Sequence, residues 1–177
     1  MNQQSSFRSS SLRLALAVLA CCSAGSALAA STSATSTSVV VTPIAIAKSA
    51  DLSFGKIAAS AAAGSVTVSP NGARTFTGGA VAAGGTSTAA KFDVTGQAGL
   101  TYAITLGGST QLTSGANTMA FAPISDVTAS AITTGNVATG TLTGGTQSIF
   151  VGGILTVGAN QVANTYTGTV TATVDYN

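Results

Sequence analysis

The amino-acid sequence predicts an all-β sandwich entered through an N-terminal extension strand. Three observations carry that reading. Beyond residue 29 the chain is dominated by Thr, Ser, Ala, Gly and Val, and Thr and Val suit a pleated, half-buried surface. Short alternating segments recur between Gly, Asn and Pro at the spacing of a sandwich. Helical periodicity is nearly absent: the Ala-rich stretch from Ile57 to Ala63 is the one candidate, and Gly64 with Val66 and Val68 closes it to a loop or single turn. Low charge with few large apolar residues could also describe a disordered chain. Disorder, however, goes with high net charge and few β-branched residues, the reverse of both here.

The first residues read as a secretory signal, residues 1–29. Arg8 and Arg13 form a basic lead, Leu12 to Cys22 is a short apolar run, and Ala27-Leu28-Ala29 offers small residues to a signal peptidase. The run is too short to span a bilayer. Cleavage after Ala29 is expected, with Ala30 the neighbouring choice. Val18-Leu19-Ala20-Cys21 loosely resembles a lipoprotein box that would instead lipidate Cys21. Both cysteines, Cys21 and Cys22, fall in the removed part, so no disulfide is expected. Residues 30–177 make 148 positions, the size of one domain with a sizeable core. Four cations (Lys48, Lys56, Arg74, Lys91) balance four anions (Asp51, Asp93, Asp126, Asp175). A neutral product offers no electrostatic footprint for nucleic acid, and no transmembrane segment is expected in it.

Residues 30–38 are a Ser/Thr leader without apolar pattern, and the domain is expected over 39–177. The strands expected in order are 39–48, 52–56, 65–69, 73–76, 91–95, 101–106, 118–121, 140–142, 148–157 and 166–176. Asn71-Gly72 and the Gly-Gly pairs supply the positive φ that hairpin turns need. Gly152-Gly153 interrupts an apolar run and suggests a bulge or bend. The last strand alternates cleanly: Tyr166, Gly168, Val170, Ala172, Val174 and Tyr176 share one face, and Thr167 to Asp175 the other. The first is apolar on both faces, with Val39, Val41, Pro43 and Ala45 alternating with Val40, Ile44 and Ile46. A strand of that kind is covered on both sides or inserted into something. Pro43 withholds a ladder donor, which suggests an edge or bulge. The aromatics Phe54, Phe76, Phe92, Tyr102, Phe121 and Phe150 are expected as core anchors, about one per strand, rather than the girdles of a membrane barrel.

The chain beyond residue 29 has no His, Cys, Glu or Trp. General acid–base work at neutral pH most often uses His or Glu, and a nucleophilic hydroxyl needs a base beside it. The four Asp are each more than thirty residues apart in sequence and read as turn caps or surface charges. No catalytic, cofactor or metal residues are therefore assigned, and an enzyme is not expected.

What remains is surfaces and strand edges. A Ser/Thr tether ahead of a two-faced apolar strand could complete a neighbour's sheet, with Val39, Val41, Ile44 and Ile46 as the donated side chains. The same strand could equally be kept as the first strand of its own domain. At the other end, the long alternation through Tyr166, Val170 and Val174 to the penultimate Tyr176 is similar to the terminal strand of fimbrial subunits handled by a periplasmic chaperone and an outer-membrane usher. Asn164 stands where such subunits commonly carry a glycine. More widely, Thr42-Pro43-Ile44 through Asp51-Leu52-Ser53-Phe54-Gly55, Val68-Ser69-Pro70-Asn71-Gly72-Ala73-Arg74, Ala90-Lys91-Phe92-Asp93-Val94-Thr95-Gly96, and Val151-Gly152-Gly153 through Tyr166-Thr167-Gly168 resemble a family of small secreted bacterial proteins known only as a domain of unknown function. The resemblance covers residues 39–177. It implies an exported immunoglobulin-like sandwich with a pilus-like role and carries over no catalytic residues. The expectation is a structural subunit of an extracellular filament at the cell surface (a fimbrium), self-associating by N-terminal strand donation after passage through the periplasm, with chaperone and usher as further partners. The alternative is a monomeric secreted binding module for carbohydrate or protein, acting through the loops at 78–88 or 126–135.

Overall fold

The computed structural model describes residues 29–177. The secretory-signal reading and the alternative at Cys21 fall on residues that lie outside the described ones. Residues 29–39 are exposed and have no regular secondary structure. Val40–Asn177 forms a compact unit of its own.

That unit contains β1 (Ala45–Ala50), β2 (Ile57–Ala58), β3 (Gly64–Val68), β4 (Arg74–Gly78), β5 (Val81–Ala82), β6 (Ala90–Thr95), β7 (Thr101–Gly108), β8 (Gln111–Ser114), β9 (Asn117–Asp126), β10 (Thr139–Thr141), β11 (Thr146–Val157) and β12 (Val170–Tyr176). Among the described residues there is no α-helix, and one 3-10 turn spans Thr143–Gly145. The fold is an all-β sandwich.

Its larger sheet is built around β11. Along one edge β11 pairs with β6 over Thr146–Val151 and then with β3 over Gly153–Val157. Along the other it pairs with β9 over Phe150–Leu155. β1 extends the sheet beyond β6, β4 extends it beyond β3, and β8 pairs with β9. The second sheet runs β10-β7-β12, and β2 pairs with β5 separately. All these pairings are antiparallel.

The sheets meet through alternating side chains. Phe92 and Val94 of β6 and Ile149 and Val151 of β11 pack with Tyr102 and Ile104 of β7 and Val174 of β12. A second cluster joins Val66 and Val68 of β3, Phe121 of β9 and Leu155 and Val157 of β11 to Phe54. The Phe54 and Phe121 rings meet edge to face, centroids 6.1 Å apart, the arrangement their quadrupoles favour. Leu52 and Val170 touch both clusters.

Several expectations are corrected. The first strand begins at Ala45, not Val39, because its ladder with β6 starts at Ala45 opposite Thr95 and Pro43 can donate nothing to one. The strand expected at 52–56 is a single bridge between Ser53 and Thr88. The last strand starts at Val170, not Tyr166, although Thr167 bridges Thr113. Gly152-Gly153 is not a bulge, since the β9 register runs through it unbroken. A Cβ at Gly152 would instead fall on the carbonyl of Val68, and one at Gly153 would strike the Phe121 ring. The register shift lies in β1, between Lys48 and Ala50. Four of the six aromatic anchors are buried. Phe76 and Phe150 are half-exposed and lie under cations, Arg74 at 5.0 Å and Lys91 at 5.9 Å from the ring centres.

Candidate functional site

The carboxylates are engaged separately. Asp51 pairs with Lys48 at 2.6 Å, both largely in solvent. Asp93 sits beside Lys91 at 2.9 Å and accepts a hydrogen bond from Ser148 Oγ at 2.7 Å. The Ser148 hydroxyl, then Lys91 and Ser49, hold the Asp93 carboxyl down to about 2. Asp126 closes a turn by accepting from the Val127 N–H and the Thr128 hydroxyl. Asp175 is exposed on β12. Among the described residues no group of three or more His, Cys, Asp or Glu could hold a metal ion, and no helix is long and apolar enough to cross a membrane. Tyr102 is buried, which pushes its hydroxyl pKa up, and it donates to Gln147 Oε1 at 2.9 Å.

The four residues expected to be donated divide into two pairs. Ile44 and Ile46 are half-buried against the domain's own core, beside β6. Val39 and Val40 are 86% and 93% exposed, and Val41 is exposed too. The division falls at Thr42. Its N–H donates to Gln97 Oε1 at 3.3 Å, and its carbonyl accepts from the Tyr176 hydroxyl at 2.7 Å. That same hydroxyl accepts from the Gln97 N–H at 2.7 Å. The penultimate tyrosine thus clamps the chain where it enters the domain. Along β12 the expected faces hold: Val174 is buried and Val170, Ala172 and Tyr176 half-buried, whereas Thr171, Thr173 and Asp175 are exposed.

At the far end of the same seam the sandwich is open. β1 runs from Ala45, opposite Thr95, to Ala50, opposite Lys91, and β12 runs from Val170, opposite Gly108, to Tyr176, opposite Tyr102. Where β1 begins and β12 ends, Tyr176 closes the seam. Where β1 ends and β12 begins, a cleft of about 1020 Å³ separates them. One wall is the stretch from Ala50 to Phe54, the other the stretch from Tyr166 to Val170. Its floor includes Leu112 of β8, Met119 and Phe121 of β9, and Leu155 of β11.

Each wall is backbone that is hydrogen-bonded on one edge and carries unpaired groups on the other, although on the Ala50–Phe54 wall the Phe54 carbonyl is taken by the Arg74 guanidinium. Thr167 exchanges both main-chain hydrogen bonds with Thr113, at 2.8 and 3.0 Å, and the Thr169 carbonyl accepts from the Ser109 N–H at 2.8 Å. The alternate groups, the N–H and C=O of Tyr166 and Gly168, point to the opposite edge and have no partner among the described residues. Across the cleft, Ser53 exchanges hydrogen bonds with Thr88 at 2.9 and 3.0 Å, while the N–H groups of Leu52 and Phe54 have none. Unpaired backbone along an apolar slot is a template for another extended segment.

The sequence did not disclose this cleft. β8 carries a single large apolar residue, Leu112, so it lacked the alternation that marks a strand. The usable signal was the glycine turn at Gly115, which sets Leu112 directly opposite Met119. Tyr166, expected on the core face of the last strand, packs half-buried against the second core cluster and also lines the cleft, its hydroxyl donating to the Val162 carbonyl at 2.8 Å and accepting from Gln161 Nε2 at 2.7 Å.

These features define an all-β sandwich whose seam is clamped at one end and open at the other. Residues 44–176 match the sequence model of a family described as Domain of unknown function (DUF4402), and the chain belongs to that family. No curated protein and no solved structure matches the chain.

Proposed function

We propose that this protein is a structural subunit of an extracellular filament or pilus-like appendage, exported through the periplasm and assembled by N-terminal strand donation on an immunoglobulin-like sandwich. The observation that carries the reading is the exposed apolar run Val39–Val41, which directly precedes the Thr42 clamp in the chain. Three consecutive exposed valines are unfavourable in water and favourable in a sheet. Burying Val39 contributes about 1.5–3 kcal/mol, Val41, only 40% exposed, contributes less, and each new ladder hydrogen bond adds about 1 kcal/mol. The donated piece is shorter than the sequence suggested, because Ile44 and Ile46 already serve their own core. A head-to-tail contact of this kind repeats without closing and so makes a filament. A chaperone and usher are the partners that would hold such a subunit before assembly.

The test is deletion of residues 30–41 in an exporting bacterial host, with unboiled surface extracts run on denaturing gels. The full chain gives a ladder of multimers and the deletion gives monomer alone. Identical monomer bands from both would contradict the reading and favour a monomeric binding module.

A further inference from the structure

We infer that the cleft between the Leu52–Phe54 and Tyr166–Val170 edges is the acceptor site for the segment Thr35–Val41 of a second copy of this chain. The inference rests on the filament reading above and names the surface that reading needs.

The chemistry of the cleft selects its occupant. A small apolar ligand would satisfy the floor of Leu112, Met119, Phe121 and Leu155 but leave the Tyr166 and Gly168 groups unpaired. An extended polypeptide satisfies both, because it presents N–H and C=O groups at the strand repeat while sending every second side chain to the floor. A strand of seven residues is about 23 Å long at roughly 3.3 Å per residue, typical of a strand in a globular sheet.

The chain supplies such a segment. Val39 and Val41 project to one side of an extended backbone, with Thr35 and Thr37 continuing that face. All four are β-branched, the type best suited to a pleated surface. The segment has no charge and no proline, so it can donate at every position and brings no ion onto the apolar floor, the charged groups of the lining (Lys48, Asp51, Lys56) lying on the Lys48–Ala59 side.

Position argues for a second copy rather than return of the same segment. The chain leaves the domain at Thr42, at the clamped end of the seam. The cleft opens at the other end, where β1 stops and β12 starts. The point where the chain enters the domain and the cleft therefore lie at opposite ends of the seam, which is the geometry of head-to-tail addition.

The test is a disulfide trap between two chains co-expressed with export, each carrying Cys21→Ser and Cys22→Ser. One chain bears Val39→Cys. The other bears Thr165→Cys, an exposed residue at the cleft rim, or Thr105→Cys on the exposed face of β7 as control. The expected result is a Val39–Thr165 cross-linked peptide, identified by mass spectrometry, at least ten-fold more abundant than the Val39–Thr105 one. A ladder that persists with equal trapping at both positions overturns the acceptor assignment and leaves the filament reading standing. Loss of every multimer in the otherwise unaltered full chain overturns both. A third chain carrying Val39→Cys and Thr165→Cys together separates the two arrangements. A disulfide confined to monomer means that the segment returns to its own cleft and contradicts the second-copy assignment.

Discussion

Replacing Gly152 by alanine puts a methyl group where β3 passes closest to β11. The added Cβ would overlap the Val68 carbonyl oxygen and lie 2.9 Å from the Ser69 carbonyl carbon. Both obstacles are backbone, so no side-chain rotation relieves them. Val68 is opposite Gly153 in the ladder, and five register pairs from Gly153–Val68 to Val157–Gly64 hold β3 in place. Gly152 is also buried and within the β9 ladder, so β11 cannot move away. Overpacking of a rigid site costs about 1–3 kcal/mol, and this one belongs at the upper end. At roughly 2–4 °C per kcal/mol for a domain of this size, the melting temperature falls by about 6–12 °C. The comparison variant is Gly115→Ala, where φ is +58° and nothing lies within 4 Å of the new methyl. Its cost is the left-handed backbone alone, about 1–2 kcal/mol. Thermal melts followed by circular dichroism rank the two. A loss at Gly152 no larger than at Gly115 would refute the close-approach argument.

Three further outcomes follow from the geometry. Tyr176→Phe removes both hydrogen bonds at the Thr42 clamp, costing about 1–2 kcal/mol, and speeds amide exchange at Gln97; unchanged exchange there would contradict the clamp. Tyr102→Phe costs only about 1 kcal/mol, because Gln147 Oε1 still accepts from the Thr141 N–H, whereas Tyr102→Ala costs about 3–5 kcal/mol; urea melts separate the two, and equal losses would contradict this account of the buried hydroxyl. Asp93 is held at about 2, below its ordinary 3.8, so the stability it contributes is complete above about pH 4 and is lost as pH falls through about 2. Asp93→Asn removes that part of the acid dependence in melts taken from pH 7 to 1.5, and an unchanged acid profile would contradict it.

The parts of the fold that sequence disclosed are those where side-chain alternation and ladder coincide. β12 is the clearest: its Thr face is in water and its Val face in the core, so period two alone placed it. β3, β6 and β11 were found within two residues at either end for the same reason. The misplacements have a common cause: hydrophobicity marks a segment that can pair, not one that does. Val39–Val41 is as β-prone as any strand here but meets no partner within the domain. The 52–56 stretch is apolar because Phe54 enters the second core cluster, yet its backbone meets other segments only at separate points, Ser53 with Thr88 and Lys56 with Ala83 and Gly84, and forms no continuous ladder. Gly152-Gly153 looked like a break because glycine is poor in strands, and its real cause, the passage of the Val68 backbone, is a tertiary contact that no local window contains. The cleft was invisible for a related reason. It is marked by unpaired backbone groups at Leu52, Phe54, Tyr166 and Gly168, and sequence patterns report side chains.

Strand donation is tested most directly by negative-stain electron microscopy of surface material from cells exporting either the full chain or the chain with Val39→Asp and Val41→Asp. Neither position contributes to the domain's own core, so both proteins fold and differ only in the offered segment. Filaments from the first and none from the second are predicted; filaments from both, or from neither, would contradict the account.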